Sequence, residues 1–446
     1  MRCLIPLLIL ATPALADDWP QWLGPKRDGY WRETGILDKF PDGGPKVLWR
    51  KPCGMGYAGP AVANGRVFIA DRALDPKSAN PDNPFAKSNV GGTDRVLCLD
   101  EKTGDQRWKF EHPVEYRVSY AAGPRCTPTV DGDVLYWLDT MGDLFALDAK
   151  TGKRLWHKNF MNDFGAGLPV WGFSAHPLVD GNNLICLVGG DEGRGVMALD
   201  KKTGKEVWRA LSIKGDPGYN SPTIFDVKGK RVLVIWHTHA VVGLDPATGK
   251  KLWEHPWEIA SALTAVNARL VNDSLLFLSG FYNGSLLLDI GGTEPEVVWK
   301  SKSKGGQAAV MPNNTVDLHS IMTTPFIQGD TIYGVCSYGE LRGLELMTGK
   351  RLWETHAATS GKSARWGHAF IIPHEDRVFL FNEQGELIIA KLSPTGYEEM
   401  SRAKLLEPTN KYAMGRTVVW SHPAFANKNV YVRNDKEIVA VSLKRD

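Results

Sequence analysis

The stretch Leu147 to Trp156, LDAKTGKRLW, decides the fold because it recurs along the chain. Related segments VLCLDEKTGDQRW, VMALDKKTGKEVW, VVGLDPATGKKLW and LRGLELMTGKRLW end at Trp108, Trp208, Trp253 and Trp353. A degenerate copy ends at Trp299, and a worn one places Met400 at the same position. Successive copies lie 45 to 54 residues apart. A period near ~45 residues with several strands per repeat marks a propeller blade.

Each copy begins with an apolar run that reads as a buried strand, followed by Asp-x-x-Thr-Gly and a second strand ending in Trp. Asp and Thr side chains bond turn amides, and Gly supplies the positive φ of a short hairpin loop. Trp offers a wide flat surface to lodge between sheets and an indole N–H that seeks an acceptor. The innermost strand follows a Pro at Pro60, Pro128, Pro177, Pro222, Pro325 and Pro423. Proline suits a strand start, where one ladder donor is spared. No long amphipathic helix pattern appears, so the fold class is all-β.

Two incomplete pieces close the count. Trp49, in PKVLWRK, lacks a preceding Asp-x-x-Thr-Gly, while EIVAVSLKRD, Glu437 to Asp446, lacks a following hairpin. Each end supplies what the other lacks. The expectation is an eight-bladed β-propeller whose ring is tied shut by its N- and C-terminal strands. Seven blades with an outlying hairpin is the alternative. Residues 1–16 read as a signal peptide, 17–44 as an N-terminal extension and 45–446 as one propeller domain.

Bulk properties bound the function. Lys plus Arg number 53 against 50 Asp plus Glu, and the formal charge is +3. Such scattered, balanced charge points away from nucleic acid. MRCLIPLLILATPALA carries a basic n-region, an apolar core and an Ala14-Leu15-Ala16 cleavage site. That run is too short to span a bilayer, and no later run qualifies as a transmembrane segment. The mature chain is expected to begin near Asp17, in the periplasm or outside the cell. Its cysteines, Cys53, Cys98, Cys126, Cys186 and Cys336, are odd in number and widely spaced, and read as small buried hydrophobes.

The pattern Ala146-x-Asp148-x-x-Thr151-Gly152-Lys153-x-x-Trp156 resembles the tryptophan-docking motif of the quinoprotein-like, or PQQ-repeat, propellers. Ala198 to Trp208 matches it in full, and the opening Trp19 to Gly29 resembles the start of secreted bacterial members. The resemblance spans roughly residues 45 to 446 and implies an eight-bladed ring. It also implies two functional classes. One is the PQQ-dependent alcohol and sugar dehydrogenases, with the quinone and calcium as cofactors and an Asp base. The other is the non-catalytic, BamB-like scaffolds. This chain has no adjacent Cys pair, and no position matches an Asp base or a calcium set.

Function on a propeller concentrates at the axial funnel. The residues just before the innermost strands are Gly59, Thr127, His176, Ser221, Ala268, Thr324, His368 and His422, with Tyr57, Arg125, Trp171, Tyr219, Asn220, Arg269, Trp366 and Trp420 around them. The turn VIWHTHAVV adds His237 and His239. Imidazoles suit a transition metal or an anion, and tryptophans a flat or glycan-like ligand. The alternative is that each His merely bonds a neighbouring blade. No carboxylate shares this row, so general acid–base chemistry has no obvious pair. Two Asn/Pro/Gly/Ser-rich loops, Asp71 to Arg95 and Ser301 to Ser320, are surface insertions or partner sites. The expected function is an exported, non-catalytic scaffold binding protein or carbohydrate. The alternatives are a PQQ-dependent dehydrogenase with an atypical site, and a metal-dependent enzyme using the funnel histidines.

Overall fold

The computed structural model describes residues 17–303 and 306–445. The leader reading falls on residues 1–16, outside the described residues. Eight four-stranded antiparallel sheets form the ring, with one additional two-stranded hairpin, Asn410–Ala413 with Arg416–Val418. Blade 1 uses Ala61–Ala63, Arg66–Leu74, Val90–Asp100 and Gln106–Tyr116, in sequence order from the axis outward. Blade 2 uses Thr129–Asp131, Val134–Leu138, Asp143–Asp148 and Arg154–Asn159. Blade 8 takes Ala424–Ala426, Asn429–Arg433 and Glu437–Ser442 from the C-terminus, and its outer strand Val47–Pro52 from the N-terminus. The ring is therefore closed as the two incomplete repeats require.

Middle strands are buried on both faces because a neighbouring blade covers each side. Val196–Asp200 is buried at all but its last residue, while the outer strand Glu206–Ala210 presents Trp208 as its one buried side chain. The core is thus a set of inter-blade layers. Between blades 1 and 2, Phe68, Val96 and Trp108 pack on Leu135, Trp137 and Phe145.

The repeated motif has a further feature that aims the tryptophan. Ala146 pairs with Trp156 but Leu147 pairs with Arg154, leaving Leu155 as a bulge. The same shift recurs in the other blades that carry the motif, including Ala198/Leu199 and Gly243/Leu244. Such a bulge turns the strand locally. Trp108 Nε1 donates to Ala149 O at 3.2 Å and Trp156 Nε1 to Lys201 O at 3.1 Å, each in the next blade's turn. The Thr-Gly glycine lies under the indole: a Cβ on Gly152, at φ +74, would sit 2.6 Å from Trp108. Glycine is required there for space as well as for its positive φ.

One assignment shifts. The strand register places Ser401, not Met400, at the tryptophan position of blade 7, with Met400 as the bulged residue. The cause is the turn: Ser393 pairs with Gly396 across two residues, so counting four residues from the glycine lands on the bulge, one residue short of Ser401. Ser401 Oγ accepts the Phe40 N–H at 2.9 Å, so a chain segment fills the space a tryptophan would take.

The N-terminal extension is a plug. It crosses the mouth formed by the first hairpin turns of the blades. Trp19 pairs with Val62 in blade 1, and Val130 N of blade 2 donates to Pro20 O. Trp31 N donates to Pro373 O in blade 7 and Lys428 N of blade 8 to Glu33. Buried Arg27 donates to His176 O at 3.1 Å and Pro177 O at 2.9 Å, inside the channel.

Candidate functional site

The axial funnel opens on the face opposite the plug, as a cavity of about 240 Å³. Its walls are the segments entering each innermost strand, together with second-to-third-strand turns. Tyr57, Tyr120, Trp366 and Trp420 form an aromatic ring of contacts, with centroid separations of 6.0 Å for Tyr120–Trp420, 6.2 Å for Tyr57–Trp420 and 6.4 Å for Trp366–Trp420. Arg125 lies 5.2 Å from the Tyr57 ring and donates to Gly123 O, Ser119 O and Tyr120 O. The indole Nε1 of Trp420 is buried and has no hydrogen-bond partner. Tyr120 (φ +58) and Trp366 (φ +63) both hold left-handed backbone. That conformation is uncommon and costly for bulky side chains, at roughly 1–3 kcal/mol each, and it clusters at functional sites.

The two long loops reach this rim. Both ends of the Asp71 to Arg95 stretch are strand, which lengthens the central hairpin of blade 1 and leaves residues 75–89 as the loop. Phe85 of that loop contacts Tyr120 at 5.3 Å and Trp366 at 6.2 Å. From the other loop, Val310 packs with Phe281, Tyr282 and Trp366.

The structure sorts the sequence candidates. Tyr57, Arg125, Trp171, Tyr219, Trp366 and Trp420 line the funnel. His176 and His422 lie in a deeper space of about 150 Å³, against Trp22. Trp22 stacks on His176 with centroids 4.5 Å apart and 12° between planes, and meets His422 at 4.5 Å. Phe370 contacts both His368 and His422 at 4.8 Å. Aromatic rings thus stand where a shared metal would need imidazoles to converge.

His368 does not line the funnel; it is buried, with neither ring nitrogen hydrogen-bonded. Burial pushes His368 down to about 3 and His422 to about 4, and holds His176 well below 6.5. Asn220 donates to Val266 O at 2.6 Å and Arg269 to Pro325 O at 2.7 Å, so both tie neighbouring blades together. His237 and His239 belong to a separate cleft with Lys214, Glu254 and Glu258. Trp257 N and Ile259 N pair with His239 O and Thr238 O, and it is Leu263 and Ala265 beyond them that reach the funnel.

A carboxylate does stand beside the histidine row. Glu383 Oε2 is 3.9 Å from His368 Nδ1 and accepts from Arg416 at 3.1 Å. It comes from the second-to-third-strand turn of blade 7, which the row alone does not show. Phe281 and Tyr282 occupy the same turn of blade 5 and were legible by that rule. Phe85 and Trp22 had no local signal.

A family model described as outer membrane protein assembly factor BamB matches residues 39–159, 92–355 and 296–446. The chain belongs to this family. The family member BamB of Shewanella oneidensis is 23% identical over 276 residues, covering 59% of this chain and 65% of that protein. A quinohemoprotein alcohol dehydrogenase of Pseudomonas putida is 35% identical over 227 residues, which is 47% of this chain but 30% of the enzyme. Among solved structures, BamB from Moraxella catarrhalis has a TM-score of 0.57 at 15% identity, covering 90% of this chain and 98% of that one. The quinohemoprotein alcohol dehydrogenase of Comamonas testosteroni has a TM-score of 0.65 at 15% identity, covering 96% and 81%. These likenesses show the propeller fold.

The implied cofactors can be tested against the funnel. Calcium takes six to eight oxygen ligands, drawn from carboxylates, carbonyls and waters. Among the described residues, those lining the cavity include no carboxylate and no side-chain amide. The one guanidinium able to meet an anionic quinone, Arg125, is bonded to three backbone carbonyls. This donor set does not fit calcium with PQQ. Among the described residues no helix is long and apolar enough to cross a membrane.

Proposed function

We propose that this member of the BamB family is an exported, non-catalytic scaffold that captures a partner protein in its funnel. The observation that carries the reading is the aromatic lining, which joins Tyr57, Tyr120, Trp171, Trp366 and Trp420 around a cavity of about 240 Å³. That volume suits one or two apolar side chains of an extended segment. Rigid aromatic walls of this kind make the anchoring pockets of protein interfaces. The relatives named as assembly factors support a protein partner, while the unsuited calcium donor set weighs against oxidation of an alcohol. Carbohydrate stacking on the same tryptophans is the second reading.

The test titrates the mature protein with extended decapeptides carrying a central Phe, Leu or Ser, and with a panel of oligosaccharides, following tryptophan fluorescence. Phe and Leu peptides should bind saturably, and Trp366→Ala and Trp420→Ala should each weaken binding at least about tenfold. Binding of oligosaccharides alone selects the carbohydrate reading. Dye-linked alcohol oxidation after addition of PQQ and calcium, above a denatured control, overturns the scaffold reading.

A further inference from the structure

Blades 1 and 2 share a polar cluster apart from the funnel lining. His112 comes from the outer strand of blade 1; Asp139 and Asp143 flank the tight turn between the second and third strands of blade 2. His112 Nε2 lies 3.3 Å from Asp143 Oδ2 and 3.7 Å from Asp139 Oδ2. One ligand atom from each of the three residues falls within 4.8 Å of the others. We infer that His112, Asp139 and Asp143 form a binding site for a divalent first-row transition ion, with zinc as the ion this donor set takes.

Three observations converge. The first is spacing. Zinc–ligand bonds of about 2.0–2.2 Å in a tetrahedron imply ligand–ligand edges of roughly 3.3–3.6 Å, close to the two distances from His112. The second is Asp139. Its side chain is fully buried, and Oδ1 accepts Met141 N at 2.8 Å and Asp143 N at 2.7 Å. Oδ2, facing His112, has no hydrogen-bond partner. A buried carboxylate oxygen left bare is expensive unless a proton or a cation answers it, and the facing imidazole and second carboxylate suit a cation. Arg72, the buried guanidinium of blade 1 beside this groove, is taken: it pairs with Asp94 at 2.6 Å and donates to Val90 O and Val114 O, while Tyr116 donates to the other oxygen of Asp94.

The third observation is support around the ligands. His157 Nε2 sits 2.6 Å from Asp143 Oδ1, fixing the carboxylate so that its other oxygen turns to His112. Phe145 packs on both imidazoles, at 5.0 Å and 4.6 Å, and gives the site an apolar wall. Outer contacts of this sort orient metal ligands and tune affinity. The His112 and His157 side chains are 24% and 33% exposed, which leaves an entry path and a fourth position for water.

The experiment uses the full mature chain, stripped with EDTA and freed of chelator, then titrated with zinc chloride by calorimetry and with cobalt chloride by visible absorption. One zinc per chain should bind, and cobalt should give the d–d bands of a tetrahedral site. Asp139→Asn keeps the Oδ1 acceptor and removes the anionic donor, so zinc should bind about 100-fold more weakly. His112→Gln, at a partly exposed position, should weaken it similarly and decides the matter if the first variant is unstable. His239→Gln, in the separate cleft, should leave the isotherm unchanged. The inference is overturned if the wild type takes up no stoichiometric zinc, or if folded Asp139→Asn and His112→Gln bind like the wild type.

Discussion

Changing His422 to Gln tests whether the channel imidazoles are held neutral by burial. His422 is 6% exposed and donates from Nδ1 to Pro423 O at 2.6 Å, and burial lowers it to about 4. In the unfolded chain the same imidazole titrates near 6.5. A folded value below the unfolded one means that this contribution is present above pH 6.5 and is lost as pH falls toward 4. Between pH 7 and pH 5 the unfolded state gains nearly one proton that the folded state refuses. At 1.36 kcal/mol per pH unit over about 1.5 units, the loss is about 2 kcal/mol. Carboxylates titrate in the same range, so the informative quantity is a difference of differences. Urea unfolding followed by tryptophan fluorescence, at pH 7 and pH 5, gives four free energies. The wild type should lose about 2 kcal/mol more than His422→Gln on acidification. Parallel pH dependence in the two proteins would show that His422 is solvated or already charged, and the burial argument would fail.

Two further expectations concern the ring. Gly152→Ala should cost about 3 kcal/mol, combining left-handed strain with a Cβ 2.6 Å from Trp108, whereas Gly132→Ala, at φ +60 with open space around it, should cost about 1 kcal/mol; equal losses in thermal melts would refute a packing role for the indole. Deleting residues 17–52 removes the outer strand of blade 8 and the Trp49 indole that donates to Glu101 O, and should cost more than about 4 kcal/mol; an unchanged melting temperature would refute terminal closure.

The ring was legible because its signal repeats: an apolar run, Asp-x-x-Thr-Gly and Trp report local hairpin physics that each blade satisfies separately. Even the missing strand could be inferred, since Trp49 and the Glu437 run are complementary halves. The funnel was half legible. Tyr57, Trp171, Trp366 and Trp420 precede or adjoin innermost strands, so topology alone aims them at the axis. His368 occupies an equivalent place in the sequence yet is sealed from the cavity, and His237 and His239 open on another cleft. Those outcomes depend on how inter-blade connections pack, which no periodicity encodes. Trp22 was invisible for a related reason: the plug has no repeat to belong to, and its partners lie some 150 to 400 residues away. The cluster of His112, Asp139 and Asp143 is similarly hidden, since it forms only where two blades meet.

The plug and the closing strand are one continuous segment, and this orders events in time. Val47 pairs with Val441, and Trp22 rests on His176 and His422. At about 5–20 residues per second, a ribosome needs roughly 20–80 s after making Val47 to reach its partner. Throughout that interval Val47–Pro52 has no partner strand, although Trp19 can already pair with Val62 of blade 1. Seven blades can form in succession while the ring stays open. Pairing of Glu437–Ser442 with Val47–Pro52 closes the circle, and blade 8 then adds the last contacts of the plug, at His422 and Lys428.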